Sequence, residues 1–123
     1  MAKGDVFIIG NGIEVTLGDV GQEVILENER IRVWHISLEP GEFQPWHLHH
    51  NPYLVIAIEA ADNRITYTDG TYRDVHEHVG RTIEMVPSPV HMLTNIGPTR
   101  YLSRLIEFKD QGENLPGGWS GEL

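Results

Sequence analysis

One hundred and twenty-three residues, 40% of them hydrophobic, make one ordinary domain and leave little material for a second core. The chain has no cysteine, which excludes disulfides, iron–sulfur clusters, Cys-rich zinc sites and cysteine nucleophiles together. Nine Lys and Arg against eighteen Asp and Glu give a net charge of −9, which repels phosphate backbones and anionic membrane surfaces, so neither nucleic acid nor a membrane is an expected partner. No apolar run approaches the roughly 20 residues of a membrane span, and the start, Met1 to Asp5, lacks a signal-peptide apolar core, so a soluble cytoplasmic protein is expected. The positive signal is seven histidines, since imidazole serves both metals and proton transfer.

In chain order, short apolar or alternating runs predict strands at Val6 to Ile9, Ile13 to Leu17, Val24 to Leu26, Ile31 to Leu38 and Tyr53 to Ile58. Others follow at Arg64 to Thr68, Thr82 to Val86, His91 to Asn95 and Arg100 to Phe108. Asn11-Gly12, Asp69-Gly70 and Asn95-Ile96-Gly97-Pro98 supply turn chemistry between runs. Thirteen Gly and seven Pro leave few stretches long enough for a helix, and the best of them, Leu54 to Ala61, is short, β-branched and preceded by Pro52. The reading is all-β, a sandwich or barrel. The barrel proper is expected over about 24–108, with N-terminal strands in 1–23 and a loose, Gly-rich C-terminal tail in 109–123.

The chemistry concentrates in Pro40 to Tyr53, where His47 and His49, two apart on a strand, point to one face while Trp46 and Leu48 point to the other. That pair suits two adjacent ligands of one metal, and a neighbouring strand carrying His91 could complete a three-imidazole face. The other reading of these three is as core or cleft histidines of a metal-free barrel. His50 has the wrong parity for a ligand and is expected to face outward or to support the site from behind.

These stretches resemble the paired motifs of the cupin superfamily, small jelly-roll barrels (double-stranded β-helices) that often hold a metal inside. Gly41, His47 and His49 match the first motif without gaps; Gly80, Pro87, His91 and Asn95 match the second imperfectly, with Pro87 one place late and Pro89 where Gly is usual. The Glu that the family carries with three or four residues intervening after the second His is missing, and those positions are Tyr53 and Leu54. Tyr53 keeps the inward parity and is expected to hydrogen-bond a bound water or substrate. Three-His cupins are similar to thiol and diketone dioxygenases, which use Fe(II). The run Trp46 to Tyr53 is similar to small cupins grouped with β-alanine degradation proteins, a label that defines no reaction. Gly70, His76 and His78 repeat the first-motif spacing, but only twelve residues separate His78 from His91, too few for the strands the fold inserts there, so a solvated strand or loop is expected.

The resemblance thus implies a three-His divalent-metal oxidoreductase of dioxygenase type, with Fe(II) preferred and Ni, Zn, Mn or Cu as alternatives, acting on a small organic acid or dicarbonyl. The rival is a non-catalytic cupin that binds a small ligand or serves a structural role. Candidates to hold or shape a substrate are Arg64, Arg100, Arg104, Met85 and Trp34, with Asn95 orienting a loop or the His91 end by hydrogen bonding. A homodimer is expected because the apolar N-terminal runs need a sheet edge and because Trp46 and Leu48 face out of the barrel.

Overall fold

A computed structural model describes residues 3–10, 12–87 and 89–111. Among them there is no helix, and eleven strands run in chain order: β1 Val6–Ile8, β2 Glu14–Thr16, β3 Glu23–Glu27, β4 Ile31–Leu38, β5 Phe43–His47, β6 Tyr53–Glu59, β7 Ala61–Tyr67, β8 Tyr72–Glu77, β9 Thr82–Met85, β10 His91–Asn95 and β11 Tyr101–Phe108. They form a five-stranded sheet in the order β3-β4-β11-β6-β9, a four-stranded sheet β5-β10-β7-β8 and a separate β1-β2 hairpin, every pairing antiparallel.

Strict alternation in β4 and β11 fixes which face is inside. Trp34, Ile36, Leu38, Tyr101 and Leu105 form the core with Val20, Tyr53, Ala57 and Ala61. Val20 and buried Leu17 lie N-terminal to residue 24, so the core draws on a segment outside the expected barrel span. At the other end Lys109 is anchored rather than loose, its Nζ 2.7 Å from Glu27 Oε2 and donating to Asn28 O. The expected tail from 112 onward lies outside the described residues, as does Asn11 of the expected Asn11-Gly12 turn.

Two motif glycines sit in turns with positive φ, Gly41 at 86° between β4 and β5 and Gly80 at 82° between β8 and β9, where a Cβ would strain the backbone. Asn95 ties the two motifs together. Fully buried, it donates Nδ2 to Leu38 O and Thr99 O, its Oδ1 accepts from Gly97 N, and its backbone oxygen accepts from Gly41 N.

The N-terminal strands pair with each other, and the hairpin is fastened to its own chain by Gly10 N donating to Thr68 O and Gly18 N donating to Trp46 O. Trp46 is half-buried beside it. Val6, Ile8 and Ile13 of this two-stranded hairpin stay exposed.

Candidate metal centre and pocket

His47 closes β5, His49 follows two residues later in the adjoining loop, and His91 opens β10 directly opposite His47 in the ladder. The inward parity of His47 and His49 persists although the strand ends at His47. All three side chains are buried, and one ring nitrogen from each lies within 4.8 Å of the other two. Ring centroids are 4.5 Å apart for His47 and His91, 5.0 Å for His47 and His49, and 5.2 Å for His49 and His91.

Backbone carbonyls fix two of the tautomers. His47 Nδ1–H donates to Pro45 O at 2.6 Å and His91 Nδ1–H to Pro89 O at 2.9 Å, which leaves Nε2 of each ring with a free lone pair. His49 has a buried Nδ1 without a hydrogen-bond partner. Burial, reinforced by the neighbouring imidazoles, lowers the pKa of His47 to about 3 and holds His49 well below the usual histidine range. His91 is lowered by burial, with a further contribution from the Arg73 charge. Three neutral, convergent imidazoles with lone pairs available are a donor set that fits a divalent first-row metal, whose bonds to nitrogen are about 2.0–2.2 Å.

The depressed values carry a stability consequence. A histidine with a folded pKa near 3 and an unfolded pKa near 6.5 contributes stability that is present above pH 6.5 and is lost as pH falls from 6.5 toward 3. Unfolding free energy of the metal-stripped protein should therefore decline below pH 6.5 by up to about 1.4 kcal/mol per pH unit for each such histidine. Glu107, whose pKa burial raises, acts in the opposite direction, so the informative comparison is with His47→Gln, which should flatten the slope. Urea titrations between pH 7.5 and 4.5 with equal slopes in both proteins would contradict this account.

A cavity of about 80 Å³ opens onto the three histidines, walled by Val20, Ile36, Val55, Ile65, Ile83 and Leu93 among others. Of the residues expected to shape a substrate site, Tyr53 and Met85 line it. Tyr53 is buried and its ring stacks on His49, centroids 3.9 Å apart and planes 15° from parallel. Trp34 does not line it; it is a core residue whose indole N–H donates to the Glu107 carboxylate.

The three expected arginines face outward. Leu102, Arg104, Ile106 and Phe108 lie on the outer face of β11, opposite buried Tyr101, Ser103, Leu105 and Glu107. Arg100 pairs with Glu59 just before that strand, and Arg104 donates to His35 Nδ1 at 2.9 Å. Arg64 binds Asp74 through two hydrogen bonds and stacks over the Tyr72 ring. Asn95 holds loops as described and is not part of the histidine cluster, and His50 is half-buried outside it. His76 is exposed, donating to Asp62 at 2.7 Å, and His78 is exposed as well.

Polar residues not anticipated from the sequence complete the wall: Gln44, Arg73, Glu77 and Tyr101. Buried Glu77 is held by Asn63 Nδ2 at 2.9 Å and Arg81 Nη1 at 2.7 Å. Burial, then the Glu77 charge, pushes the Tyr101 hydroxyl up, so it stays protonated. Arg73 and Glu77 could have been found by extending the hairpin register back from Asp69-Gly70. That register sets Arg73 opposite Ile65 and Glu77 opposite Ala61.

Double-stranded β-helix proteins share this fold. A cupin domain from Bordetella pertussis Tohama I superposes with a TM-score of 0.65 at 22% identity, covering 76% of this chain and 95% of that one. The fold is that of a small cupin. An uncharacterized conserved protein with a double-stranded β-helix domain from Klebsiella pneumoniae has a TM-score of 0.60 at 20% identity, covering 76% and 77% of the two chains. An RmlC-like cupin family protein from Methanocaldococcus jannaschii has a TM-score of 0.56 at 25% identity, covering 70% and 76%. No protein-family model and no curated protein matches the sequence. These likenesses establish the cupin fold and name no reaction. Among the described residues no helix is long and apolar enough to cross a membrane.

Proposed function

We propose that this cupin is a mononuclear metal enzyme of dioxygenase type, Fe(II) being the preferred ion, acting on a small organic acid or dicarbonyl. The supporting observation is the cluster of three buried, neutral histidines at the wall of an apolar cavity. His47, His49 and His91 would hold the ion, with no carboxylate in their cluster among the described residues, leaving coordination positions for ligands. A divalent ion in that position supplies Lewis-acid polarisation and, as Fe(II), activation of oxygen.

The chain's own residues do the rest. Ile36, Val55, Ile65, Ile83, Leu93 and Leu105 exclude water, which strengthens polar contacts made inside. The stacked Tyr53 ring fixes the plane of His49, and the Tyr53 hydroxyl offers a hydrogen bond or proton to the ligand. Tyr53→Phe should keep stacking and metal while weakening ligand binding or turnover by about 3–10-fold, the usual worth of one hydrogen bond.

The test is metal analysis of freshly purified protein, then oxygen uptake with a panel of small acids, dicarbonyls and thiols, with light scattering on the same sample to read whether it is a homodimer of 13.9 kDa chains. A metal-replete protein that binds panel members and consumes no oxygen is a non-catalytic ligand-binding cupin. A preparation that takes up no divalent ion ends the proposal.

A further inference from the structure

A second recess, with a volume of about 400 Å³, lies between the β1-β2 hairpin and the four-stranded sheet. Ile9 and Gly10 wall it on the hairpin side, and Trp46 on β5 with the run from Thr66 to Gly70 wall it on the sheet side. None of these residues lines the histidine cavity. The size falls within the range of about 300–1,000 Å³ usual for small-molecule sites.

Both walls are held in place. Gly10 N donates to Thr68 O and Gly18 N to Trp46 O, each at 2.8 Å, so the hairpin is pinned at its tip and at its exit. At the tip a Cβ on Gly10 would stand 3.2 Å from that Thr68 oxygen and 3.5 Å from Asp69 Cα, so backbone rests directly on backbone. On the sheet side the Tyr67 ring meets His91 edge-on, with centroids 6.3 Å apart and planes at 69°, which fixes one aromatic wall.

The recess carries a single charge. Asp69 Oδ1 accepts from Thr71 N at 2.9 Å and from Thr71 Oγ1 at 2.6 Å, and these hydrogen bonds hold the carboxyl below its ordinary range. Its other oxygen, Oδ2, has no partner among the described residues. No Lys, Arg or His lines the recess, so an anion would find no counter-charge there. One carboxylate is too few ligands for a bare hard cation, which takes about six oxygens or more. Two electron-rich rings, an ionised carboxylate and the apolar Ile9 side chain match instead an organic ammonium, whose charge is spread over carbon groups that aromatic rings attract. The net charge of −9 draws such cations toward the protein.

The geometry points to a binding site for an N-methylated organic ammonium in this recess, with Trp46 and Tyr67 taking the cationic head and Asp69 Oδ2 balancing its charge. The site stands apart from the proposed function, since it needs neither a metal nor turnover at the histidine cluster.

The experiment is calorimetric titration of the purified full chain with choline and with dimethylbutanol, the same shape with carbon in place of nitrogen. Choline should bind saturably at millimolar concentration or below, and about 10-fold or more tighter than the isostere, because only the charge separates the two. Trp46→Leu should weaken choline binding by about 3–30-fold and Trp46→Phe by less, following the strength of the ring. Asp69→Asn keeps an acceptor for Thr71 and a good turn residue, and should weaken binding by about 2–5-fold. Added salt should lower wild-type affinity more than that of Asp69→Asn. Thermal melts report whether each variant folds, and losses at Trp46 and Asp69, which do not line the histidine cavity, place choline in the recess. No saturable choline binding, equal affinities for choline and the isostere, or wild-type affinity in Trp46→Leu or in Asp69→Asn each overturns the site. Should Trp46→Leu fail to fold, wild-type affinity in Trp46→Phe and Asp69→Asn together overturns it.

Discussion

Replacing His91 by alanine should abolish uptake of a divalent metal, and His47→Ala and His49→Ala should do the same one at a time. The three rings converge from β5, the loop after it and β10, and among the described residues no carboxylate belongs to the cluster to take over a lost position. Losing a group that merely orients a ligand costs about 10–100-fold in metal affinity, so losing one of three ligands should exceed that. The paired control is His76→Ala with His78→Ala, exposed residues that repeat the Gly-x5-His-x-His spacing and should leave metal content untouched. Elemental analysis of the purified variants, followed by titration of the stripped proteins with Co(II), reads both. Wild-type metal content in any single His47, His49 or His91 variant would show that the cluster is a packed set of neutral imidazoles, as in a metal-free barrel.

That cluster was legible in the sequence because two-residue spacing survives small changes of backbone. His47 and His49 share a face even though β5 ends between them, and His91 falls on the strand read as His91 to Asn95 to the residue. What escaped was what a bulge or an unpatterned strand hides. The ladder sets His91 opposite His47 but Leu93 opposite Gln44, so an extra residue in β5 turns Gln44 inward where simple alternation from His47 would put it outside. Strand β8 reads Tyr-Arg-Asp-Val-His-Glu, with no apolar alternation, because exposed Arg73 and buried Glu77, which line the cavity, are polar and the opposite face pairs with β7 through Arg64 with Asp74 and Asp62 with His76. On β11 both faces mix apolar and polar residues, since the buried side carries Ser103 and Glu107. Periodicity alone therefore could not say that Arg104 lies outside.

Glu107 is the residue whose loss should cost the fold most. Its carboxylate accepts from the Trp34 indole and from Asn51 Nδ2 at 3.1 Å, and it lies 3.7 Å from the Arg32 guanidinium, which is 2% exposed. Burial raises the Glu107 pKa, while the Trp34 and Asn51 hydrogen bonds and the Arg32 charge favour its ionised form. Glu107→Leu would remove the acceptor of two buried donors and one carboxylate partner of Arg32, whose other partner, Glu27, is shared with Lys109. Breaking one side of a buried pair costs about 3–5 kcal/mol, so a loss of that size in urea unfolding at pH 7 is expected. The double change Arg32→Met with Glu107→Leu should recover part of it, because the uncompensated charge leaves with its partner. Asn51 connects this network to the histidine cluster: fully buried, it anchors on Glu107 the loop that carries His49. Glu107→Leu should therefore also weaken Co(II) binding, by less than removal of His49 itself. A stability loss under about 1 kcal/mol, or a double variant no more stable than Glu107→Leu, would show that the carboxylate serves as filler and that the His49 loop is held by packing alone.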